Sequence, residues 1–323
     1  MTGPTPDQIA GAAAQIAADT IRTPVLSLTS DRWRGLLPDA ASVTVKLELF
    51  QQAGSFKARG VLLGIKGLTQ EQRAAGVVAA SGGNHALAVS WAAKAAGVSA
   101  RIAMPASVDP LRIDGCRAMG ADVSLHADML AAFAEMDRVV AEEGRAILHP
   151  FEGAHMTLGA ATCGAEYARQ APQVDTLIVP VGGGGLIGGL AVAFKQANPT
   201  CRVIGVEPEG ADSMTRSLAA GHPVALDRIA TIADSLSAPR AMPCSFAVAQ
   251  AHVDQMVLVT DDQMRAAMGH YMTVLRLLAE PACAASLAAI CGPLRHDLAG
   301  RHVGIIACGS NISLPRYTAM MAG

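Results

Sequence analysis

Aromatic residues are scarce in this 323-residue chain, where Phe, Trp and Tyr together make up 3%. Charge is thin as well, at 16%, and 25 Lys plus Arg against 27 Asp plus Glu leave a formal net charge of −2. No basic block stands out, so a nucleic-acid partner is not expected. Long apolar runs are missing too. Stretches such as LIGGLAVAF at 186–194 fall short of the ~20 residues that span a bilayer, and no membrane partner is expected. The opening MTGPTPDQIAGAAAQ has no basic segment leading into an apolar core, so it reads as no signal peptide. Cys116, Cys163, Cys201, Cys244, Cys283, Cys291 and Cys308 are scattered without C-x-x-C spacing. That pattern argues against a disulfide or zinc framework and for reduced thiols in a cytoplasmic enzyme.

What is present is small and aliphatic. The chain is 51% hydrophobic, rich in Ala, Gly, Val, Ile and Leu, which suits helices packed on buried parallel sheets. SVTVKLELF (42–50), GVVAAS (76–81), SARIAMP, ADVSLHA, ILHPF, DTLIVPV, RVIGVEPE, HVDQMVLVT and RHVGIIACGS read as strands. Helical spacing falls between them, over 56–68, 85–97, 109–119, 157–170 and 261–279. The alternation predicts an α/β fold with mostly parallel twisted sheets flanked by helices. No linker stands out. A small domain over 71–147 is therefore expected as an insert in a large domain of 1–70 and 148–323. Ligands in such folds bind beyond the carboxyl ends of strands, so the glycine-rich junctions at 82–84, 182–185 and 309 are where chemistry belongs.

Three junctions and one lysine qualify. In VPVGGGGLIGGL (179–190) a strand runs into four glycines and then a helix, leaving unhindered amides at a helix N-terminus for an anion. Gly183, Gly185 and Gly188 also satisfy G-x-G-x-x-G with Glu207 ending the next strand, so a dinucleotide site competes. In SGGNHA (81–86), Ser81, Asn84 and the amides up to His85 suit a carboxylate, or simply an N-capping turn. In IIACGSN (305–311) a buried strand ends in Cys308, either an apolar filler or a thiol for a ring nitrogen. Finally AGSFKARG (53–60) sets Lys57 among small residues after Phe56. A poorly solvated amine beside Arg59 would have its charged form disfavoured, as imine-forming lysines do. A snorkelling lysine at a helix start fits that segment equally well.

The ordered set AGSFKARG, SGGNHA, VGGGGL, AEPA and CGSN resembles the fold type II pyridoxal-phosphate enzymes, and within them the serine/threonine dehydratase and serine racemase group. The likeness runs from about residue 20 to about 315. It implies pyridoxal 5′-phosphate as cofactor, Lys57 as the catalytic Schiff-base lysine and Phe56 packed on the ring. Asn84 would bond the 3-hydroxyl oxygen, Gly182, Gly183, Gly184, Gly185 and Leu186 the phosphate, and Cys308 would face the pyridine nitrogen. Ser235 and Glu280 complete the implied cofactor set, while Ser81, Gly82, Gly83, Asn84 and His85 frame the substrate carboxylate. On this resemblance the glycine loop holds one phosphate and the dinucleotide reading falls away.

Departures from the pattern direct the reaction. Gly82 stands where the racemase has its second base, a serine, so elimination is favoured over racemisation. Glu207, Ala211 and Ser213 occupy the places of a cation site that elsewhere carries a second carboxylate, which makes a bound mono- or divalent cation an open question. Ala160 replaces a common glutamine in HPFEGAHMTLGAAT (149–162), a segment bordering the substrate in the family. The expected activity is dehydration and deamination of an L-β-hydroxy amino acid such as L-threonine or L-serine to a 2-oxo acid and ammonia. A bulkier substrate such as phenylserine, serine racemisation, an NAD(P)-dependent oxidoreductase and a non-catalytic carrier of the cofactor are the alternatives. A homodimer without feedback control is expected.

Overall fold

Apolar periodicity along the chain resolves into two separate sheets. The computed structural model describes residues 3–40 and 42–322. Helix α1 (Pro6–Ile16) opens with a capping box between Thr5 and Gln8. Strands β1 (Val25–Ser27) and β2 (Ser42–Lys46) pair antiparallel, and α2 (Lys57–Lys66) and α3 (Gln70–Ala75) follow. Next come β3 (Val77–Ala80), α4 (Asn84–Ala96), β4 (Ala100–Pro105), α5 (Pro110–Ala118), β5 (Asp122–His126), α6 (Met129–Glu143) and β6 (Ala146–Ile147). The chain continues through α7 (Ala154–Gln170), β7 (Thr176–Pro180), α8 (Gly185–Ala197), β8 (Arg202–Pro208), α9 (Ser213–Ala220) and α10 (Pro243–His252). It closes with β9 (Gln255–Val259), α11 (Asp261–His270), α12 (Pro281–Cys291), β10 (His302–Ile306) and α13 (Leu314–Ala322).

The larger sheet runs β1-β2-β10-β7-β8-β9 and the smaller β5-β4-β3-β6. All strand pairings except β1–β2 are parallel, so these strands are joined by crossovers and not by hairpins. The fold is α/β, with two mostly parallel sheets flanked by helices. One core gathers on the larger sheet around Leu177, Ile178, Leu190 and Leu287, and another on the smaller around Val77, Ile102 and Val89. Helix α2 lies between them. Phe56, just before it, belongs to the first core, whereas Val61, Leu62 and Ile65 belong to the second. Among the described residues, no helix is long and apolar enough to cross a membrane.

Several boundaries differ from the sequence expectation. The strand expected over 42–50 stops at Lys46, and Glu48–Phe50 forms a 3-10 turn. The helix expected over 157–170 begins at Ala154. The one expected over 261–279 ends at His270, passes into a π turn over Tyr271–Leu275 and reverses at Arg276, whose φ is +61°. Cys308 lies two residues beyond the end of β10 rather than within the strand.

Candidate active site

Lys57 reaches the interior because the segment before it is laid against the segment after β10. Phe56 N donates to Cys308 O at 3.1 Å, Ser310 N to Gly54 O at 3.1 Å, and Asn311 Nδ2 to Ala53 O at 2.8 Å. Gly54 has φ +68°, and a Cβ there would lie 2.5 Å from Asn311 Oδ1, so only glycine permits this approach. Lys57 is then the first residue of α2. Its Nζ donates to Pro150 O and lies 4.9 Å from the Phe56 ring centroid. Burial pushes the amine down from the ordinary lysine range to about 8, against the opposing pull of Cys308 and Glu280.

Arg59 has no part in this, which corrects the sequence expectation. Its guanidinium is held by Glu48 at 2.8 and 2.9 Å and reaches Glu166 at 3.2 Å. Lys46 joins the same buried cluster through Glu166 and Gln170. Two carboxylates neutralise Arg59 in a network tying α2 to β2 and α7. Desolvation alone depresses the Lys57 amine.

The asparagine junction arrives from β3. Ser81 Oγ accepts from Gly83 N at 3.2 Å, and Asn84 opens α4 with its side chain buried. Asn84 Nδ2 donates to Glu280 Oε1, and its Oδ1 accepts from Asn311 Nδ2 at 2.7 Å. Ser235 lies over Gly83: a Cβ at Gly83 would sit 3.5 Å from Ser235 Oγ. The His85 imidazole turns away toward Leu148 O at 2.8 Å, and burial beside Lys57 lowers it to about 3. It is neutral at physiological pH, and only its backbone stays with the junction.

The four glycines connect β7 to α8. A Cβ at Gly183 would lie 2.1 Å from the Phe151 ring, one at Gly182 3.0 Å from Leu236 Cα, and Gly184 has φ +88°. The glycines thus let Phe151 and Leu236 close over the turn. Gly184 and Gly185 are also the N-cap and first residue of the thirteen-residue α8, whose start carries no side-chain cap. Its free amides and dipole suit a phosphate.

Cys308 is 4% exposed. A hydrogen bond with the Cys283 thiol and burial both hold it well above the ordinary thiol range, so it is a neutral group. The buried Glu280 carboxyl is pushed up to about 7 by burial, and its Oε2 has no hydrogen bond.

Glu207 is used locally. Its carboxylate accepts from Met214 N and Thr215 N, each at 2.8 Å, and from Thr215 Oγ1 at 2.6 Å, so it caps α9. Ala211 N is bonded to Pro208 O, and Ser213 Oγ is buried without a partner. Among the described residues, no three His, Cys, Asp or Glu side chains gather as a metal centre. Ala160 is buried on α7 and packs on α8, where a Cβ at Gly189 would lie 2.5 Å from its own.

Sequence reasoning passed over Pro150, Phe151, Asn311 and Arg112. Asn311 was within reach, since it ends the CGSN run. Pro150 acts through its carbonyl and Arg112 sits in an unremarkable helix, so neither carries a motif.

The residues present fit pyridoxal phosphate: a partly buried amine of depressed basicity, an uncapped helix start for the phosphate, and a buried carboxyl oxygen without a hydrogen bond. The family model described as "Pyridoxal-phosphate dependent enzyme" matches residues 16–309. The chain is 44% identical to phenylserine dehydratase of Ralstonia pickettii over 303 residues, covering 94% of this chain and 92% of that protein. It is 36% identical to the L-threonine ammonia-lyase of Thermotoga maritima over 273 residues, covering 84% of this chain and 68% of that one. The solved structure of maize serine racemase superposes with a TM-score of 0.92 at 34% identity, covering 100% of this chain and 98% of that chain.

Proposed function

The chain belongs to the pyridoxal-phosphate dependent enzymes, among those that dehydrate hydroxy amino acids, and on that premise we propose an aryl-serine as its substrate and Lys57 as its only base. The reaction is β-elimination, giving a 2-oxo acid and ammonia. When bound, pyridoxal phosphate supplies an aldehyde that links to an amine and a ring that accepts the electron pair released at Cα. Lys57 would hold the cofactor through its amine and would be the base that takes the Cα proton. An amine lowered to about 8 is neutral often enough at physiological pH to do so. The α8 N-terminus would hold the phosphate, Asn84 would donate to the ring oxygen, and Cys308 would meet the ring nitrogen as an uncharged thiol. Ser81 and the amides of Gly83, Asn84 and His85 orient the substrate carboxylate.

The observation that carries the single-base reading is the wall at Gly82. A Cβ there would lie 2.4 Å from Val108 Cγ2 and 3.5 Å from Pro105 Cδ. Aliphatic groups fill the space that a side chain at this position would take, which supports the reading without a second proton carrier and, with Phe151, an apolar β-substituent. The 44% identity to phenylserine dehydratase supports the same choice. Turnover of L-threo-phenylserine, L-threonine and L-serine, assayed as oxo acid, tests it. We expect the largest kcat/KM for phenylserine and no D-isomer from any of them. An equal or larger kcat/KM for threonine or serine overturns the substrate, and D-amino acid overturns the single base. A cytoplasmic homodimer is the setting we attach to this reading, and light scattering on the purified chain reads its mass. A cation beside Glu207 is tested separately by chelation, followed by a thermal melt with magnesium restored.

A further inference from the structure

Arg112 is a charged side chain with 2% exposure and no task in the reaction so far. It stands in the first turn of α5, which packs with the smaller sheet, and its guanidinium reaches four other segments. Nε donates to Asn311 O at 2.8 Å, Nη1 to Gly82 O at 3.1 Å, and the two Nη atoms to the Asp234 carboxylate at 2.7 and 3.3 Å. Nη2 also lies 3.5 Å from Glu280 Oε2, the buried oxygen that has no hydrogen bond. The Asn84 amide is gripped at both ends, its nitrogen by Glu280 and its oxygen by Asn311. Both grips lead back to Arg112.

We propose that Arg112 is a positioning residue that fixes the orientation of the Asn84 amide, through Glu280 and Asn311, and so keeps an N–H directed at the cofactor. The inference deepens the cofactor reading and rests on it. An ionised Glu280 only accepts hydrogen bonds, which demands the Asn84 nitrogen; a protonated Glu280 donates, which permits the amide to turn over. Arg112 favours the ionised form. Burial acts against it and holds Glu280 up at about 7, Asp234 adds to that rise, and Asn84 and Lys57 oppose it. Nearby, Cys308 is a neutral thiol, Asp109 adds negative charge beside Arg112, and Arg316 reaches the Asp234 carboxylate at 3.4 Å.

The test measures the dissociation constant of pyridoxal phosphate against pH, using the full chain stripped of cofactor. For the wild type we expect binding to tighten as Glu280 ionises. Arg112→Met should weaken binding about tenfold near pH 7 and move the midpoint to higher pH, because the carboxyl loses its cation. Arg112→Lys, which keeps the charge, should restore most of the midpoint. Asp234→Asn removes an anion and should move the midpoint the opposite way, so the prediction stands even if Arg112→Met does not fold. A merely structural Arg112 would lower affinity or Tm and leave every midpoint in place, which overturns the proposal. If the wild type binds no pyridoxal phosphate, the cofactor reading itself falls. If the wild type binds and Arg112→Met matches it in affinity and midpoint, this inference alone falls.

Discussion

An amine that is to take a proton at neutral pH must shed its own charge, and the environment of Lys57 achieves this by desolvation. Direct chemistry on the cofactor-free chain reads the effect. At pH 7 an amine titrating at about 8 is neutral a few hundred times more often than an ordinary lysine. An amine-selective reagent should therefore label Lys57 first, with a rate that rises with pH and levels off just above 8. Lys57→Ala should remove that fast phase, and a rate still climbing toward pH 10 would mean that the amine is solvated. Gly82 gives a second prediction at the same scale. Gly82→Ser presses its new side chain on Val108 and should cost about 1–3 kcal/mol of stability, as overpacking does. Val108→Ala in the same chain should return most of that loss in urea unfolding. Gly82→Ser alone should yield no D-amino acid, because the side chain has no room to settle; a racemising single variant would refute the wall.

Among the elements, α2 is where position and chemistry meet, and its placement depends on contact without side chains. A Cβ at Gly159 on α7 would lie 2.3 Å from the backbone N and Cα of Gly60 on α2. Gly159→Ala must push α2 aside and carry Lys57 with it. Stability should fall by about 1–3 kcal/mol, and pyridoxal-phosphate affinity should fall with it. Gly11→Ala on the exposed face of α1 meets nothing within 4 Å and should instead stabilise by about 0.5–1 kcal/mol, so the pair separates packing from helix propensity. Neither glycine announces this in the sequence, because helix-to-helix approach is a tertiary fact. What sequence does carry is local. The apolar runs carry strands, and Gly97 ends α4 in the left-handed conformation that glycine adopts readily. The glycines at 182–185 were visible, but the need for them is set by Phe151 and Leu236, which arrive from distant segments. Arg59 misled for the same reason. Two residues from Lys57 along the chain, it points into a carboxylate cluster that only the fold assembles.

For the whole molecule, buried titratable groups pull stability in opposite directions with pH. Burial lowers His85 to about 3 and His149 to about 4, and lowers His155 as well. Their contribution is full above the unfolded value of about 6.5 and is lost as pH falls toward the folded values. Burial raises Glu207 and Glu280 to about 7. Their contribution is full below the unfolded value of about 4.5 and is lost as pH rises through 7. From about 4.5 to 6.5 the two carboxyls offset only part of what the histidines, His270 among them, take away, so the cofactor-free chain should lose stability gradually there as pH falls. Below that window both of these carboxyls are protonated whether folded or unfolded, the compensation ends, and the histidines drive acid unfolding together with Glu48 and Asp109, whose carboxyls are held below their ordinary range. Glu280→Gln isolates one side of this balance. The substitution changes local hydrogen bonds equally at every pH, so the informative quantity is a difference of differences. Relative to the wild type, the variant should gain between about 1 and 3 kcal/mol on going from pH 5 to pH 8, because it no longer has to ionise a buried carboxyl. Urea unfolding at the two pH values measures that gain, and an unchanged difference would place the ionisation of Glu280 in the ordinary carboxyl range.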